Sequence, residues 1–235
     1  MTREYGQYCP IAKGAEVFAE RWTPLIVRNL ALGCHSFSEI HGGVPRMSRS
    51  LLSRRLQSLE RDGILERRPG RNGRGWRYHL TPAGEELNEV CLGLGTWAAR
   101  WLEVTPHDYD PAVVLWGWHK FIVVERLPEQ RVVVRFDLRD LPKERYWLLL
   151  QRPDVEICIK HPGLDEDLIV RTDSRTLTLV HTGRLALADA VRQGDWQMHG
   201  PPELARAFPT WGGLSRFAGV APARPTLPGG TSPSG

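Results

Sequence analysis

The sequence predicts two domains: a mainly α-helical domain that contains a β-hairpin, followed by an α+β domain. Its 235 residues are more than one small core needs. Apolar residues recur at helical spacing in the first half, where a glycine-rich segment interrupts them, and alternate with polar residues in the second half. With 41% hydrophobic and 25% charged residues, the composition is that of a globular protein that folds on its own cores.

Three short helices are predicted to open the first domain. Residues 10–20 form the first helix, and Thr23 is expected to cap the second, which runs to Gly33. Ser36 is expected to cap the third helix, residues 37–41, which ends at a pair of glycines. Three short helices in close succession predict a compact helical core.

The fourth predicted helix, residues 48–62, has two chemically different faces. Leu52, Leu56 and Leu59 follow one another at i, i+4 and i+7 and form an apolar stripe. A helix that enters the major groove of DNA needs such a core-held face and an outward face of hydrogen-bond donors. We therefore expect this helix to contact bases and phosphates of double-stranded DNA. The expected contact residues are Arg46, Ser48, Arg49, Ser50, Ser53 and Arg54.

A β-hairpin is predicted to follow the fourth helix. Residues 64–68 and 76–80 read as strands, and the segment between them is rich in Gly and Arg. Helices followed by such a hairpin predict a winged helix-turn-helix, and the wing is expected to reach phosphates or the minor groove. The wing residues expected to contact DNA are Arg71, Asn72, Arg74 and Arg77.

The excess positive charge lies in the first domain. The formal net charge is +4, with 15 Lys and Arg against 11 Asp and Glu in residues 1–104, and 16 against 16 in residues 105–235. Residues 46–77 alone hold ten arginines against three acidic residues. The chain uses 27 Arg and 4 Lys, so the clustering, rather than the arginine content, indicates a polyanionic partner.

A long helix, residues 82–103, is expected to end the first domain, which we assign to residues 1–104. Residues 105–111 contain two prolines and two aspartates and read as a linker. The second domain, residues 112–219, is predicted to be α+β, and residues 220–235, rich in Pro, Gly and Ser, are predicted to form a flexible tail. The second domain is predicted to contain helices 111–124, 174–181, 185–193 and 202–208 and strands 132–138, 146–151, 155–160, 168–172 and 195–199.

Residues 9–103 resemble the HxlR type of winged-helix regulators, which share their architecture with the MarR regulators. The resemblance rests on several motifs in order: Cys9-Pro10-Ile11; Arg21-Trp22-Thr23 with Leu25 and Ile26; Phe37-Ser38-Glu39-Ile40; Met47, Ser48, Leu51, Leu52, Arg55, Leu56, Leu59, Glu60, Asp62 and Gly63; and Tyr78, Leu80, Thr81, Gly84 and Leu87. It implies a sequence-specific regulator, commonly a repressor, that binds an inverted repeat as a homodimer. Trp97 and Trp101, one turn apart on the long helix, agree with a dimer because a single winged helix has little core to bury both.

Residues 107–219 resemble the sterol-carrier-protein-2-like domains. The resemblance rests on residues 132–138, Tyr146-Trp147, residues 168–172, Thr182-Gly183-Arg184-Leu185, Ala188, Ala190, Gly194 and Gly200. It implies a twisted sheet packed on helices around an apolar tunnel, and hence a hydrophobic small-molecule effector. The expected lining residues are Trp116, Phe136, Trp147, Met198, Trp211 and Phe217. The alternative is that these side chains fill the core.

The sequence leaves two alternative functions open and disfavours a third. Cys9 stands where relatives of this type carry a cysteine, so a redox- or electrophile-sensing regulator is one alternative. A lipid-binding carrier whose winged helix contacts protein is another, although the arginine-rich wing argues against it. An enzyme is disfavoured because no HExxH, P-loop or GxSxG motif occurs, and neither a cofactor nor a metal is expected.

The cellular location is predicted from what the sequence lacks. No window approaches the roughly 18 consecutive apolar residues of a membrane helix. The first ten residues have no signal-peptide core. We therefore expect a cytoplasmic protein, associated with the nucleoid when bound to DNA and with no membrane partner.

Overall fold

The computed structural model describes residues 4–70 and 75–223. The chain divides into two compact units, Met1–Gly95 and Thr96–Gly235. The elements that begin in the first unit are the helices α1 (Pro10–Phe18), α2 (Thr23–Ala31), α3 (Phe37–Gly42), α4 (Arg49–Arg61) and α5 (Pro82–Trp101) and the strands β1 (Leu65–Pro69) and β2 (Trp76–Leu80). This order of elements is the predicted winged helix-turn-helix, so the fold class of this half is confirmed.

Local sequence signals fix the starts of α3 and α4. In α3 the Glu39 N–H donates to the Ser36 hydroxyl at 3.2 Å, and the Ser36 N–H donates back to the Glu39 carboxylate at 2.7 Å, which completes a capping box. In α4 the Leu51 N–H donates to the Ser48 hydroxyl at 3.3 Å. Both predicted caps are confirmed.

The predicted cap of α2 is wrong. Thr23 is the first residue of that helix, and its hydroxyl oxygen is buried without a hydrogen-bond partner among the described residues. Trp22 occupies the cap position in a left-handed conformation, with φ of 82°. This conformation is rare for a residue that carries a side chain, and no local pattern in the sequence predicts it.

The core of the first unit lies between α2, α3, α4 and β1. The leucine stripe of α4 faces inward as predicted, with Leu52, Leu56 and Leu59 no more than 1% exposed. These side chains are surrounded by other buried apolar residues, among them Ile26, Val27, Leu30, Ile40, Val44, Met47 and Leu65. The burial of one face of α4 forces its polar face outward.

The wing strand β2 is held on both sides. It pairs antiparallel with β1, from Leu65 opposite Leu80 to Pro69 opposite Trp76. On its other side the Tyr78 N–H donates to the His35 carbonyl at 2.7 Å. The segment that precedes α3 therefore contacts β2 through an isolated bridge, in which Ser36 is paired with Arg77.

A mixed five-stranded sheet forms the centre of the second unit. Its strands are β3 (Val132–Leu138), β4 (Arg145–Gln151), β5 (Asp154–Cys158), β6 (Leu168–Thr172) and β7 (Gln197–His199), in the order β5-β4-β3-β6-β7. β3 and β6 are parallel, and the other neighbours are antiparallel. The helices are α6 (Pro111–Lys120), α7 (Ser174–His181), α8 (Leu187–Arg192) and α9 (Pro202–Ala207). The predicted α+β class is confirmed.

Two helices of the second unit are shorter than predicted because backbone hydrogen bonds redirect the chain. After α6, Val123 donates its N–H to the Trp211 carbonyl at 2.7 Å, so the segment near residue 123 pairs with a distant loop instead of continuing the helix. Before α8, Leu185 donates to the Leu179 carbonyl at 3.1 Å and belongs to the turn that closes α7. The Trp211 carbonyl is distant in sequence, and the Leu179 carbonyl belongs to the preceding helix. Helical periodicity reveals neither hydrogen bond.

Aromatic rings pack against one another in the core of the second unit. The Trp118 and Phe208 rings are stacked at 6.0 Å between centroids, and the Trp118 and Trp196 rings at 5.8 Å. Phe136 meets Trp196 edge to face at 6.3 Å. These four side chains are no more than 1% exposed, so they fill this part of the core themselves.

Within the described part of the chain, no helix combines the length and apolar character needed to cross a bilayer.

Candidate nucleic-acid interface

The N-terminal half of α4 carries the candidate interface. All the residues predicted to contact DNA from this region are exposed: Arg46, Ser48, Arg49, Ser50, Ser53 and Arg54. Arg49, Ser50, Ser53 and Arg54 lie in α4 outside its buried leucine stripe, Ser48 caps the helix, and Arg46 precedes it. These exposed side chains project donors from and beside a helix held by the core.

Arg49 is oriented by an aromatic ring from α3. Its guanidinium carbon lies 5.0 Å from the centroid of the Phe37 ring. Such a cation–π contact is worth about 0.5–1 kcal/mol at an exposed site. It restricts a long side chain without neutralising its charge, so the guanidinium remains available to a phosphate or a guanine.

Three other arginines of the basic cluster are occupied by acidic residues of the same unit. Arg55 is half-buried and lies 2.8 Å from the Glu20 carboxylate, which ties α4 to the segment after α1. In the wing, Arg67 lies 3.0 Å from Glu60, and Arg68 pairs with Glu66. Glu60 and Glu66 are already among the three acidic residues counted in residues 46–77, so only the Arg55–Glu20 pair lowers the counted excess. Because these three arginines have acidic partners, Arg49 and Arg54 are the better candidates for DNA contact.

Arg77 lies within the strand predicted for residues 76–80, and its predicted DNA contact stays a prediction. It is half-buried in β2 and forms an isolated bridge with Ser36, at the start of α3. Burial alone would raise the pKa of Glu39, but N–H groups of Ser36 and His35 and the charge of Arg77 hold that pKa below its ordinary value. The other predicted wing contacts, Arg71, Asn72 and Arg74, lie outside the described residues.

The predicted effector-binding residues do not share one surface of the sheet. Directly paired residues lie on the same face, and Trp147 is paired with Arg135 whereas Phe136 is paired with Tyr146. Phe136 and Trp147 therefore lie on opposite faces. The Trp147 indole N–H donates to the Glu166 carboxylate at 3.2 Å, which anchors it to a charged surface rather than to an apolar tunnel.

The remaining predicted effector-binding residues lie in or beside the core of the second unit. Met198 is half-buried and, through the register of β7, β6 and β3, lies on the same face as Phe136. Trp211 is 2% exposed and meets Phe208 edge to face at 5.8 Å. Trp116 is 8% exposed, and Phe217 is half-buried.

The cysteines differ in environment. Cys9 is half-buried at the cap position of α1, and its role stays a prediction. Burial raises the pKa of the Cys91 thiol to about 11, so this thiol stays protonated and unreactive at neutral pH. Among the residues that the structure describes, no three His, Cys, Asp or Glu side chains are grouped to hold a metal ion.

The fold and the exposed face of α4 define a winged helix-turn-helix protein of the DNA-binding class. A family model described as HxlR-like helix-turn-helix matches residues 17–106. The HTH-type transcriptional regulator YvaP of Bacillus subtilis is 33% identical over 103 residues, which are 41% of this chain and 92% of YvaP. YtfH of Escherichia coli, also an HTH-type transcriptional regulator, is 32% identical over 98 residues, 40% of this chain and 75% of YtfH. The chain belongs to the HxlR family of DNA-binding transcriptional regulators.

The second unit lies beyond these relatives. Among solved structures, a ubiquinone synthesis protein titled UbiJ-SCP2 is 19% identical and covers 37% of this chain and 69% of its own, with a TM-score of 0.30.

Proposed function

We propose that the protein is a homodimeric repressor that reads an inverted-repeat operator through the N-terminal half of α4. The observation that carries this proposal is the exposed pair Arg49 and Arg54 above a fully buried leucine stripe. In this proposal the α4 side chains read base edges in the major groove, and the wing contacts the neighbouring phosphates. Residues 1–104 act as the DNA-binding and dimerisation domain.

An exposed apolar face of α5 supports dimerisation. Val90, Leu94, Trp97 and Trp101 follow one another at i, i+4, i+7 and i+11 and are 46–52% exposed. Ile11 on α1 is 82% exposed. Large apolar side chains exposed in a row indicate a protein interface. Two copies joined in this way place two recognition helices about 34 Å apart, which matches one turn of DNA.

The operator is tested by selection. Purified full-length protein selects duplexes from a random library, and the proposal predicts an inverted repeat with half-site centres about 10 base pairs apart. Ultracentrifugation of the protein–DNA complex gives its stoichiometry. A single half-site bound by one copy contradicts the dimer.

The reading residues are tested on the selected operator. Replacing Arg49 and Arg54 by alanine is expected to weaken binding by about 30-fold or more, since two bidentate contacts of about 1–3 kcal/mol each together contribute at least about 2 kcal/mol. The matched control replaces Arg131 and Arg175, two exposed arginines of the second unit, and is expected to leave affinity unchanged. Equal affinity of both variants, with folding verified by circular dichroism, contradicts the proposed interface.

Repression is tested with a reporter gene driven by a promoter that contains the selected operator. We expect expression to fall when the protein is supplied, because a dimer seated on the promoter excludes RNA polymerase. The Arg49→Ala, Arg54→Ala variant is expected to restore expression. A rise in expression with the wild-type chain contradicts repression and indicates an activator.

We also propose that residues 112–219 take an apolar small-molecule effector, as their resemblance to the sterol-carrier class implies. The half-buried Met198 and Phe217 supply apolar surface that is not sealed within the core. Native mass spectrometry of the full chain with long-chain fatty acids and fatty alcohols tests this proposal. Retention of no apolar compound, together with unchanged operator affinity in their presence, contradicts it.

A further inference from the structure

A cavity of about 460 Å³ lies in the first unit, between the end of α2, the end of β2 and the first turns of α5. This volume lies within the range of about 300–1,000 Å³ that is usual for small-molecule sites. It is distinct from the DNA-facing side of α4 and from the aromatic core of the second unit. Its lining therefore belongs to neither site already considered.

One wall of the cavity is a pair of imidazoles. The His35 and His79 rings are stacked, with 4.4 Å between centroids and 25° between planes. His35 Nδ1 lies 2.9 Å from the Tyr78 carbonyl oxygen, which only accepts, so Nδ1 carries the proton. Burial, together with the charges of Arg68 and Arg77, lowers the pKa of His79, so its ring is uncharged at neutral pH and offers one nitrogen as an acceptor.

Carboxylates also line the cavity. Glu85 and Glu89 lie one turn apart on α5, and Asn88 is a further lining residue. No lysine or arginine is among the described residues that line the cavity. Leu30 and Leu80 add apolar surface. The lining thus combines two carboxylates, an imidazole acceptor and apolar side chains, which is the complement of a cation with a hydrophobic body.

We propose that this cavity, lined by the stacked pair His35 and His79, by the carboxylates Glu85 and Glu89 and by apolar side chains, binds a small organic cation. Amines, amidines and quaternary ammonium ions attached to an aromatic or aliphatic group have this chemistry. The carboxylates bind the charge, and the apolar group packs against the apolar lining.

The site is connected to the wing by hydrogen bonds. His35 holds β2 through its side chain and, as described above, through its carbonyl oxygen, which accepts the Tyr78 N–H. β2 also carries His79 and, two residues earlier, Arg77. A ligand that contacts the imidazole pair therefore acts on the strand that positions the wing. This regulatory step rests on the proposed function, whereas binding of the cation does not.

Calorimetric titration of the full-length protein without DNA tests the binding step. The probes are benzamidine, phenethylamine and benzyltrimethylammonium, with benzyl alcohol and benzoate as neutral and anionic controls. At least one cation is expected to bind, and the two controls are not. Failure of all three cations to bind at millimolar concentration, or equal binding of benzyl alcohol, overturns the proposal.

Substitutions locate the binding step. Replacing Glu85 and Glu89 by glutamine is expected to weaken cation binding by about tenfold or more, which corresponds to about 1.4 kcal/mol. Glu86→Gln is the matched control, because Glu86 is an exposed carboxylate of the same helix that does not line the cavity. Equal affinity of the Glu85→Gln, Glu89→Gln variant and the control variant overturns this site.

Regulation is measured separately, as the operator affinity with and without saturating cation. A change in affinity that the Glu85→Gln, Glu89→Gln variant loses supports coupling to the wing. If the cation binds and the operator affinity is unchanged, the proposed coupling is overturned, whereas the proposed cation-binding site stands. Cation binding by a protein that selects no operator overturns the proposed function alone.

Discussion

The Arg49 guanidinium lies over the Phe37 ring, with its central carbon 5.0 Å from the ring centroid. This contact joins the first residues of two successive helices, α3 and α4. Among the described residues no salt bridge of Arg49 is found, whereas Arg55 in the middle of α4 is held by Glu20. The two arginines thus differ: Arg49 is a proposed DNA contact, and Arg55 fastens the helix.

Phe37→Leu is expected to weaken operator binding by about two- to fivefold, which corresponds to the 0.5–1 kcal/mol of a cation–π contact. Fluorescence anisotropy on the selected operator measures this loss. In an Arg49→Ala background the same substitution is expected to have no further effect, because the contact is already absent. Equal losses in the two backgrounds would show that Phe37 acts through the fold instead.

Gly84→Ala is expected to destabilise the first unit by about 1–3 kcal/mol, although alanine is the better helix former. A Cβ on Gly84 would overlap the Ile64 carbonyl oxygen. Gly93 lies in the same helix, and a Cβ there would meet nothing within 4 Å. Gly93→Ala is therefore the matched control and is expected to stabilise the protein by about 0.5–1 kcal/mol. Urea unfolding measures both changes, and equal signs would contradict the prediction.

Asp173→Ala is expected to lower the free energy of unfolding by about 0.5–2 kcal/mol, the usual cost of a lost N-cap. The Thr176 N–H donates to the Asp173 carboxylate at 2.7 Å at the start of α7. Asp173→Asn keeps an acceptor at the cap and is expected to retain most of this stability. Thermal unfolding measures the stability of both variants. An asparagine variant as unstable as the alanine variant would contradict the capping role of Asp173.

Mild acid is expected to destabilise the protein partly through His119. Burial, together with the charge of Lys120, lowers the pKa of His119 from 6.5 to about 4. Between these two pH values the unfolded chain binds a proton that the folded chain excludes, so the free energy of unfolding falls as the pH falls from 6.5 to 4. His119→Gln is expected to remove about 1–3 kcal/mol of this loss.

Urea unfolding at a series of pH values between 4 and 7 measures the contribution of His119. His107→Gln serves as the control, because His107 is exposed. Its pH dependence is expected to match that of the wild-type chain. A wild-type slope in the His119→Gln variant would mean that other groups carry the acid sensitivity.

The α4 helix could be predicted because its signals are local. The leucine stripe repeats within two turns, and Ser48 caps the helix three residues before Leu51, whose N–H it accepts. The family resemblance, carried by motifs in the same segment, was likewise readable from the chain alone. The contact of Phe37 with Arg49 was missed because nothing in a linear pattern places one ring beneath one particular guanidinium.

The faces of the sheet on which the proposed effector-binding residues lie could not be predicted because they depend on strand register. Counting aromatic residues groups Phe136 with Trp147, yet the pairing of β3 with β4 sends them to opposite faces. The basic cluster shows the same limitation, since the pairing of Arg55 with Glu20 spans 35 residues. Alternation and composition describe single segments. The register of β3 with β4 and the Arg55–Glu20 ion pair each involve two segments that are distant in sequence.

The bond from the Tyr78 amide to the His35 carbonyl uses main-chain atoms only. Side chains on β2 can therefore be exchanged during evolution while this bond keeps the hairpin in place beside α3. The hairpin side chains of related regulators can therefore change one at a time while the orientation of the hairpin relative to α4 is kept. Divergence of operator sequence within such a lineage then needs no change of backbone geometry.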